Sequence, residues 1–377
     1  MNNPKKAAKN KLKRNRMLNG NNGDLRLFED SNGPSVVTKI PTPDSPATRI
    51  FVPPKGLNVD KNFQQLGVVD WREEAFQKIT SIKDLNNKII CSDSKAALKR
   101  FPEDSVHCII TSPPYWNMVD YGFDGQLGQC SYEKYLMQLL EVWSECERVL
   151  APNGKLCIIT PIMPISKKVI PDQHTRHLKN INNDIEATIL TNLRLRRYSL
   201  YIWQKQTTEK MFGSYPYPPN IYEQNTIEFI NVLVKDGKPR QMEQAVKEAS
   251  KLNEKEWMDL TRQIWPLYPE DVKRVNHPAP FPISLPNRLI AMYTFARCQN
   301  EKFSYEGDVV LDPFCGAGAT CVAAKNLGRN HIGVDLSPEF CVFAGENLRK
   351  TFYSGKIFLI NNKNWAGNDK VRSSFQR

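Results

Sequence analysis

The 377-residue chain has no run approaching about eighteen apolar residues, and the basic residues near its start are followed by no apolar stretch. Neither a membrane span nor a secretory signal is therefore expected, and the cytoplasm is the expected compartment. Cysteine pairing is also missing: the nine cysteines are an odd number, with no Cys-x-x-Cys and no histidines at zinc spacing. That argues against a disulfide scaffold or a metal centre and for buried reduced thiols. The dinucleotide fingerprint G-x-G-x-x-G is absent, as are internal repeats and heptads. Acidic residues are absent before Asp24, where Lys5, Lys6, Lys9, Lys11, Lys13, Arg14 and Arg16 stand among asparagines. Such a segment has little to bury and reads as a disordered basic arm, either a solvated tail or a nonspecific tether for a polyanion.

What is present begins with charge. A formal +12 and a pI near 9.2 favour a polyanionic partner, because each phosphate met by Lys or Arg releases counterions. Pro34, Pro41, Pro43, Pro46, Pro53 and Pro54 resist both helix and central strand, so residues 1–60 are read as arm and linker, with globular patterning from near Val68. Short apolar runs at Lys88–Cys91, Val106–Thr111, Lys155–Thr160, Tyr198–Gln204, Glu228–Val234, Val309–Leu311 and His331–Val334 predict strands, most of them buried on both faces. Helices are predicted over Ser94–Arg100, Tyr132–Leu150, Asn182–Arg194, Asn287–Cys298, Thr320–Leu327 and Pro338–Arg349. This alternation predicts an α/β fold with a parallel or mixed sheet. Between Asp236 and Val275 Lys, Glu, Gln and Arg dominate, which reads as an insertion rather than sheet core.

Two strings carry chemistry. Asp312, Pro313, Phe314, Cys315, Gly316, Ala317 and Gly318 join a strand to a helix, a turn in which glycines let a backbone approach a ligand closely. Asp335 closes the next strand about twenty residues on, where a carboxylate can accept bonds from ribose hydroxyls. The second string, Thr111-Ser112-Pro113-Pro114-Tyr115-Trp116, follows a buried strand. An exocyclic amine on a base is a poor nucleophile because its lone pair is delocalised into the ring. The Ser112 hydroxyl and the Pro113 carbonyl can accept its two hydrogens and localise that pair, Pro113 and Pro114 fix the backbone, and Tyr115 offers a stacking face.

Together the two strings resemble the beta group of amino-directed DNA methyltransferases, over about residues 85–350. The resemblance implies a Rossmann-like S-adenosylmethionine-dependent fold, circularly permuted so that the catalytic motif precedes the cofactor motif, with an inserted target-recognition region. Its implied parts are a catalytic half at 61–235, target recognition at 236–275, a cofactor half at 276–365 and a tail at 366–377. S-adenosylmethionine is the implied cofactor and double-stranded DNA the implied partner, in a restriction-modification system whose nuclease acts separately or as a solitary methylase. Family members occur as monomers and as homodimers, and a prokaryotic member would sit at the nucleoid. Asp335 matches the ribose-binding acid. The stretch His277–Ile290 is similar to the segment that packs on the methionine end of the cofactor, with Pro282 and Leu285 as contacts, although Phe281-Pro282 stands where many members have Lys-Pro. Asp93 matches a position near the cofactor adenine and serves equally as a helix N-cap. Trp203, Lys205 and Phe212–Pro219 resemble the target-side loop, and core packing explains Trp203 as well.

Serine at the head of Ser-Pro-Pro-Tyr groups the chain with cytosine-N4 enzymes, and N6-adenine transfer is the alternative. A C5-cytosine mechanism uses a cysteine, usually after proline, and the chain has no Pro-Cys pair. An inactive DNA-binding homologue is the competing reading from another class. RNA methylation is disfavoured by the lack of an appended RNA-binding motif. In 236–275, Lys238, Arg240, Lys247, Lys251, Lys255, Arg262, Lys273 and Arg274 are candidates for phosphates or guanine edges, or else line a solvated insertion.

Overall fold

The computed structural model describes residues 49–50, 59–116, 119–120, 126–165, 177–207, 214–269, 281–300 and 303–351. The basic arm, most of the proline-rich segment, Phe212, Lys273, Arg274, His277 and the C-terminal tail lie outside them. By contact the chain divides into residues 1–48 with 164–178, of which only four residues are described, and residues 49–163 with 179–377. The second unit holds everything that follows.

The strands of its main sheet are β1 Val68–Asp70, β2 Lys88–Cys91, β3 Val106–Thr111, β4 Leu150–Pro161, β5 Leu195–Lys205, β6 Ile227–Lys235, β7 Ile264–Leu267, β8 Val309–Asp312 and β9 Asn330–Asp335. They form one sheet of order β7-β5-β6-β4-β3-β8-β9-β2-β1. Every pairing is parallel except those of β6, which runs antiparallel to both β4 and β5. The carboxyl ends of eight strands and the amino end of β6 therefore share one edge. Late in the sequence, β8 enters between β3 and β9, with Val310 opposite Cys108 and His331. The order along the chain is thus permuted relative to the order in space.

The helices are α1 Val59–Leu66, α2 Ser94–Lys99, α3 Tyr132–Val149, α4 Ile181–Asn192, α5 Gln244–Ala249, α6 Glu254–Leu260, α7 Ser284–Tyr293, α8 Ala319–Asn326 and α9 Pro338–Arg349. In α3 the spacing of three and four buries Tyr135, Leu139, Val142, Trp143, Cys146 and Val149, while Ser131 caps its first turn by accepting from the Lys134 N–H. One apolar layer joins Cys108, Ile110, Cys157, Ile159, Ile230 and Val232 of the strands to Leu285, Leu289 and Ile290 of α7. A second joins Ile89 and Cys91 to Val322 of α8, Cys341 and Val342 of α9, and Phe63 of α1. Fully burying one such aliphatic or aromatic side chain contributes about 2 kcal/mol. All cysteines are free thiols, and all but Cys130 and Cys298 are buried.

Three sequence expectations need correction. Regular structure precedes Val68: Arg49–Ile50 pairs in parallel with Val119–Asp120, and Phe63 and Leu66 give α1 one apolar face that packs on α9. The helix expected at Asn287–Cys298 runs instead from Ser284 to Tyr293, and Cys298 opens a short strand, Cys298–Asn300, paired with Phe303–Tyr305. Finally, the 236–275 segment does reach the sheet. Its strand β7 pairs with β5 and buries Trp265, which stacks on Tyr201 at 4.6 Å between centroids.

Candidate active site

The two chemical strings meet at the shared sheet edge. The β3–β8 ladder pairs Leu311 with Ile109, and just beyond it the Thr111 hydroxyl donates to Asp312 Oδ1 at 2.7 Å. Both residues are buried, at 0% and 1% exposure. This side-chain bond fixes the start of one loop against the start of the other. A second tie runs from the Ser94 hydroxyl at the head of α2 to the Pro313 carbonyl, at 2.5 Å.

Asp312 also accepts from the Phe314 N–H at 3.1 Å, while its Oδ2 is buried with no hydrogen-bond partner among the described residues. Burial pushes its carboxyl up to about 6, against the lowering effect of the Thr111 hydroxyl. Past it, Cys315 N–H donates to the Val334 carbonyl, and Gly316 N–H donates to Asp335 Oδ2 at 2.8 Å. The other Asp335 oxygen accepts from the Ser337 N–H at 2.9 Å. Burial raises this carboxyl too, to about 6, with the Ser337 and Gly316 N–H groups pulling the other way. Gly316 and Gly318 have φ of +48° and +83°. At Gly318 a Cβ would also stand 3.0 Å from the Ala344 Cβ of α9, so glycine is required there for conformation and for packing. Asn347 of α9 holds the Ala317 carbonyl at 3.0 Å, and the Phe314 ring meets Trp143 edge-on.

The Ser-Pro-Pro-Tyr loop is anchored from α3. The Tyr135 hydroxyl donates to the Pro114 carbonyl at 2.9 Å, and Trp116 donates to the Cys130 carbonyl at 2.7 Å while its ring meets Tyr132. Pro113 is buried in the same loop. The Ser112 and Tyr115 hydroxyls are 2.8 Å apart, and the Tyr115 hydroxyl donates at 3.4 Å to Glu228 Oε2. Glu228, itself 7% exposed, pairs through Oε1 with Lys205 Nζ at 2.6 Å.

Other predicted residues have structural parts in the fold. Asp93 is exposed and caps α2 by accepting from the Ala96 N–H at 2.9 Å. Leu285 is fully buried in the core layer under α7, and the buried Pro282 accepts the Leu285 N–H. Trp203 is core, donating to the Leu267 carbonyl at 3.0 Å. Arg240 donates to the buried Asp308 at 2.8 Å and to the Tyr305 hydroxyl, so it braces the fold. Sequence reasoning passed over the side chain of Thr111, and also Tyr135 and Glu228. Glu228 had a signal: it stands in phase with the inward-facing Ile230 and Val232 of an apolar strand, where a charge has to be explained.

A family model described as DNA methylase matches residues 106–346. The type II methyltransferase M.MjaI of Methanocaldococcus jannaschii is 30% identical over 287 residues, which span 67% of this chain and 87% of that one. Among solved structures, TTHA0409 of Thermus thermophilus complexed with S-adenosyl-L-methionine aligns with a TM-score of 0.56 and 31% identity, over 70% of this chain and 93% of that one. The PvuII DNA methyltransferase, cytosine-N4-specific, aligns with a TM-score of 0.51 over 81% of this chain and 95% of its own, and at 16% identity this is a likeness of fold.

Proposed function

The chain belongs to the N6/N4 DNA methylase family and is a DNA methyltransferase dependent on S-adenosylmethionine, and from that premise we propose that it methylates the N4 amine of a cytosine flipped out of the duplex. The observation that carries this reading is the Thr111–Asp312 bond, which sets an amine-accepting loop against a glycine turn. Ser112 at the head of the loop, in place of an aspartate, favours cytosine over adenine. The type II name of M.MjaI supports the same setting here, a modification enzyme whose nuclease acts separately.

The turn has a donor set suited to the cofactor. Both Asp335 oxygens accept backbone N–H groups, and the carboxylate keeps acceptor capacity for a ribose hydroxyl. The unpartnered Oδ2 of Asp312 places a second carboxyl beside the turn, matched in charge to a cation. Gly316, Ala317 and Gly318 supply the close backbone approach. When bound, S-adenosylmethionine supplies an electrophilic methyl group on a sulfonium.

The remaining work belongs to the loop. Unstacking a base costs a few kcal/mol, and stacking on the Tyr115 ring returns about 1–3 kcal/mol. The Ser112 hydroxyl and Pro113 carbonyl accept the two amine hydrogens, so the nitrogen lone pair is drawn out of the ring and aimed outward. In 236–275, the exposed Lys238, Lys247, Lys251, Lys255 and Arg262 are proposed to meet phosphates. The test is incubation with unmodified DNA and labelled S-adenosylmethionine, digestion to nucleosides and mass spectrometry. Labelled N4-methylcytosine is expected, N6-methyladenine would correct the base, and absence of transfer would refute the assignment.

A further inference from the structure

We propose that the buried Glu228–Lys205 pair fixes the direction of the hydrogen bonds running through Tyr115 to Ser112, so that the serine oxygen meets the target amine as an acceptor. This rests on Ser112 being the group that accepts from the amine. The antiparallel course of β6 makes it possible. Because β6 starts where its neighbours end, Glu228 stands opposite Pro161 of β4 and Trp203 of β5 at the edge that carries the Ser-Pro-Pro-Tyr loop. Lys205, the last residue of β5, reaches the same carboxylate at 2.6 Å.

Two hydroxyls 2.8 Å apart have no inherent direction, since either can donate. A carboxylate in an ion pair removes the ambiguity, because it only accepts. The Tyr115 hydroxyl therefore spends its one hydrogen on Glu228, and its oxygen is left to accept from Ser112. Ser112 in turn directs its hydrogen at Tyr115 and turns its lone pairs outward. The direction matters for chemistry. A serine that accepts from the amine N–H leaves electron density on nitrogen, whereas a serine that donates to that nitrogen occupies the lone pair that must attack. An aspartate in the same position could not donate once ionised, so a serine enzyme has a need for this device that an aspartate enzyme lacks. Glu228 and Lys205 are thus positioning residues acting through Tyr115.

The test is Glu228→Gln, which keeps the shape and places an N–H donor where only acceptors stood. Loss of one charge-assisted bond and of the fixed direction should lower kcat about 10- to 100-fold. The KM for DNA and the affinity for S-adenosylmethionine, measured by calorimetry, should change less than about threefold, a split that a merely structural role would not give. Tyr115→Phe removes the connection, so the double variant should be no slower than Tyr115→Phe alone. An unchanged kcat in Glu228→Gln, or fold losses that multiply in the double variant, would overturn the proposal. Glu228→Asp, which restores an acceptor-only group, should recover part of kcat, and failure to exceed Glu228→Gln would also count against it. Ser112→Ala separates the two levels of the argument. If it still transfers methyl, both the acceptor role and this inference fall; if it is inactive while Glu228→Gln is normal, only the inference does.

Discussion

Replacing Thr111 by valine tests the bond that joins the two halves of the site. Valine fills nearly the same volume and suits a strand, so the packing of a fully buried position should survive and the hydroxyl alone is lost. What Asp312 then loses depends on its charge. Above its pKa of about 6 the lost bond is charge-assisted, worth about 1.5–3 kcal/mol; below it, a neutral bond worth about 1 kcal/mol. The sign follows from the same facts. Thr111 holds the carboxyl down against burial, so removing it makes ionisation costlier, and the folded variant is penalised most where Asp312 must be charged. Wild type and Thr111→Val should therefore differ by about 2 kcal/mol in urea unfolding at pH 8 and by about 1 kcal/mol at pH 5, with equal urea slopes. Titrations of other carboxyls, Asp335 included, occur in both proteins and cancel. A cost under about 0.5 kcal/mol at pH 8, or the same cost at both pH values, would refute the account of this bond.

The fold was legible wherever local pattern and burial agreed. Val106–Thr111 and Val309–Leu311 are apolar on both faces because their strands lie at the centre of a sheet covered by helices, and such strands read as continuous apolar runs. Strand β7 was not legible, because Ile264-Trp265-Pro266-Leu267 sits at the sheet edge behind a polar stretch and only Trp265 and Leu267 are buried. Within the site, Ser112, Tyr115, Gly316 and Asp335 could be found because their motifs are contiguous. Thr111 to Asp312 and Tyr115 to Glu228 are contacts across distant sequence, set by which strands become neighbours, and no local pattern encodes that choice. The basic residues of 236–275 show the converse limit: composition alone did not distinguish Arg240, spent on Asp308, from the exposed Lys247 or Lys255.

Two further substitutions probe the cofactor turn and the brace behind it. Asp335→Asn should weaken S-adenosylmethionine about tenfold or more at pH 8, by removing a charged acceptor. Because burial raises the wild-type carboxyl to about 6, wild-type affinity should fall as the pH drops through that value, and the variant's should stay flat; parallel pH profiles in calorimetry would refute the role. Arg240→Met decides between a phosphate contact and a brace. Asp308 is fully buried and also accepts from the Phe295 N–H at 2.8 Å, and the Tyr305 hydroxyl donates to it. Although burial pushes its carboxyl up, His107, Arg240 and Tyr305 together hold it below the ordinary value of 3.8. That contact thus stabilises the protein above the unfolded-chain pKa and is lost as the pH falls through the folded one. Without the guanidinium a buried carboxylate is left short of a partner, and the expected loss at pH 7 is about 3 kcal/mol in urea unfolding, shrinking toward acid as Asp308 becomes protonated. Binding to DNA at a temperature where the variant is folded should keep the wild-type dependence on salt, because no phosphate contact has been removed. A salt slope reduced by about one, with stability unchanged, would place Arg240 on the DNA instead.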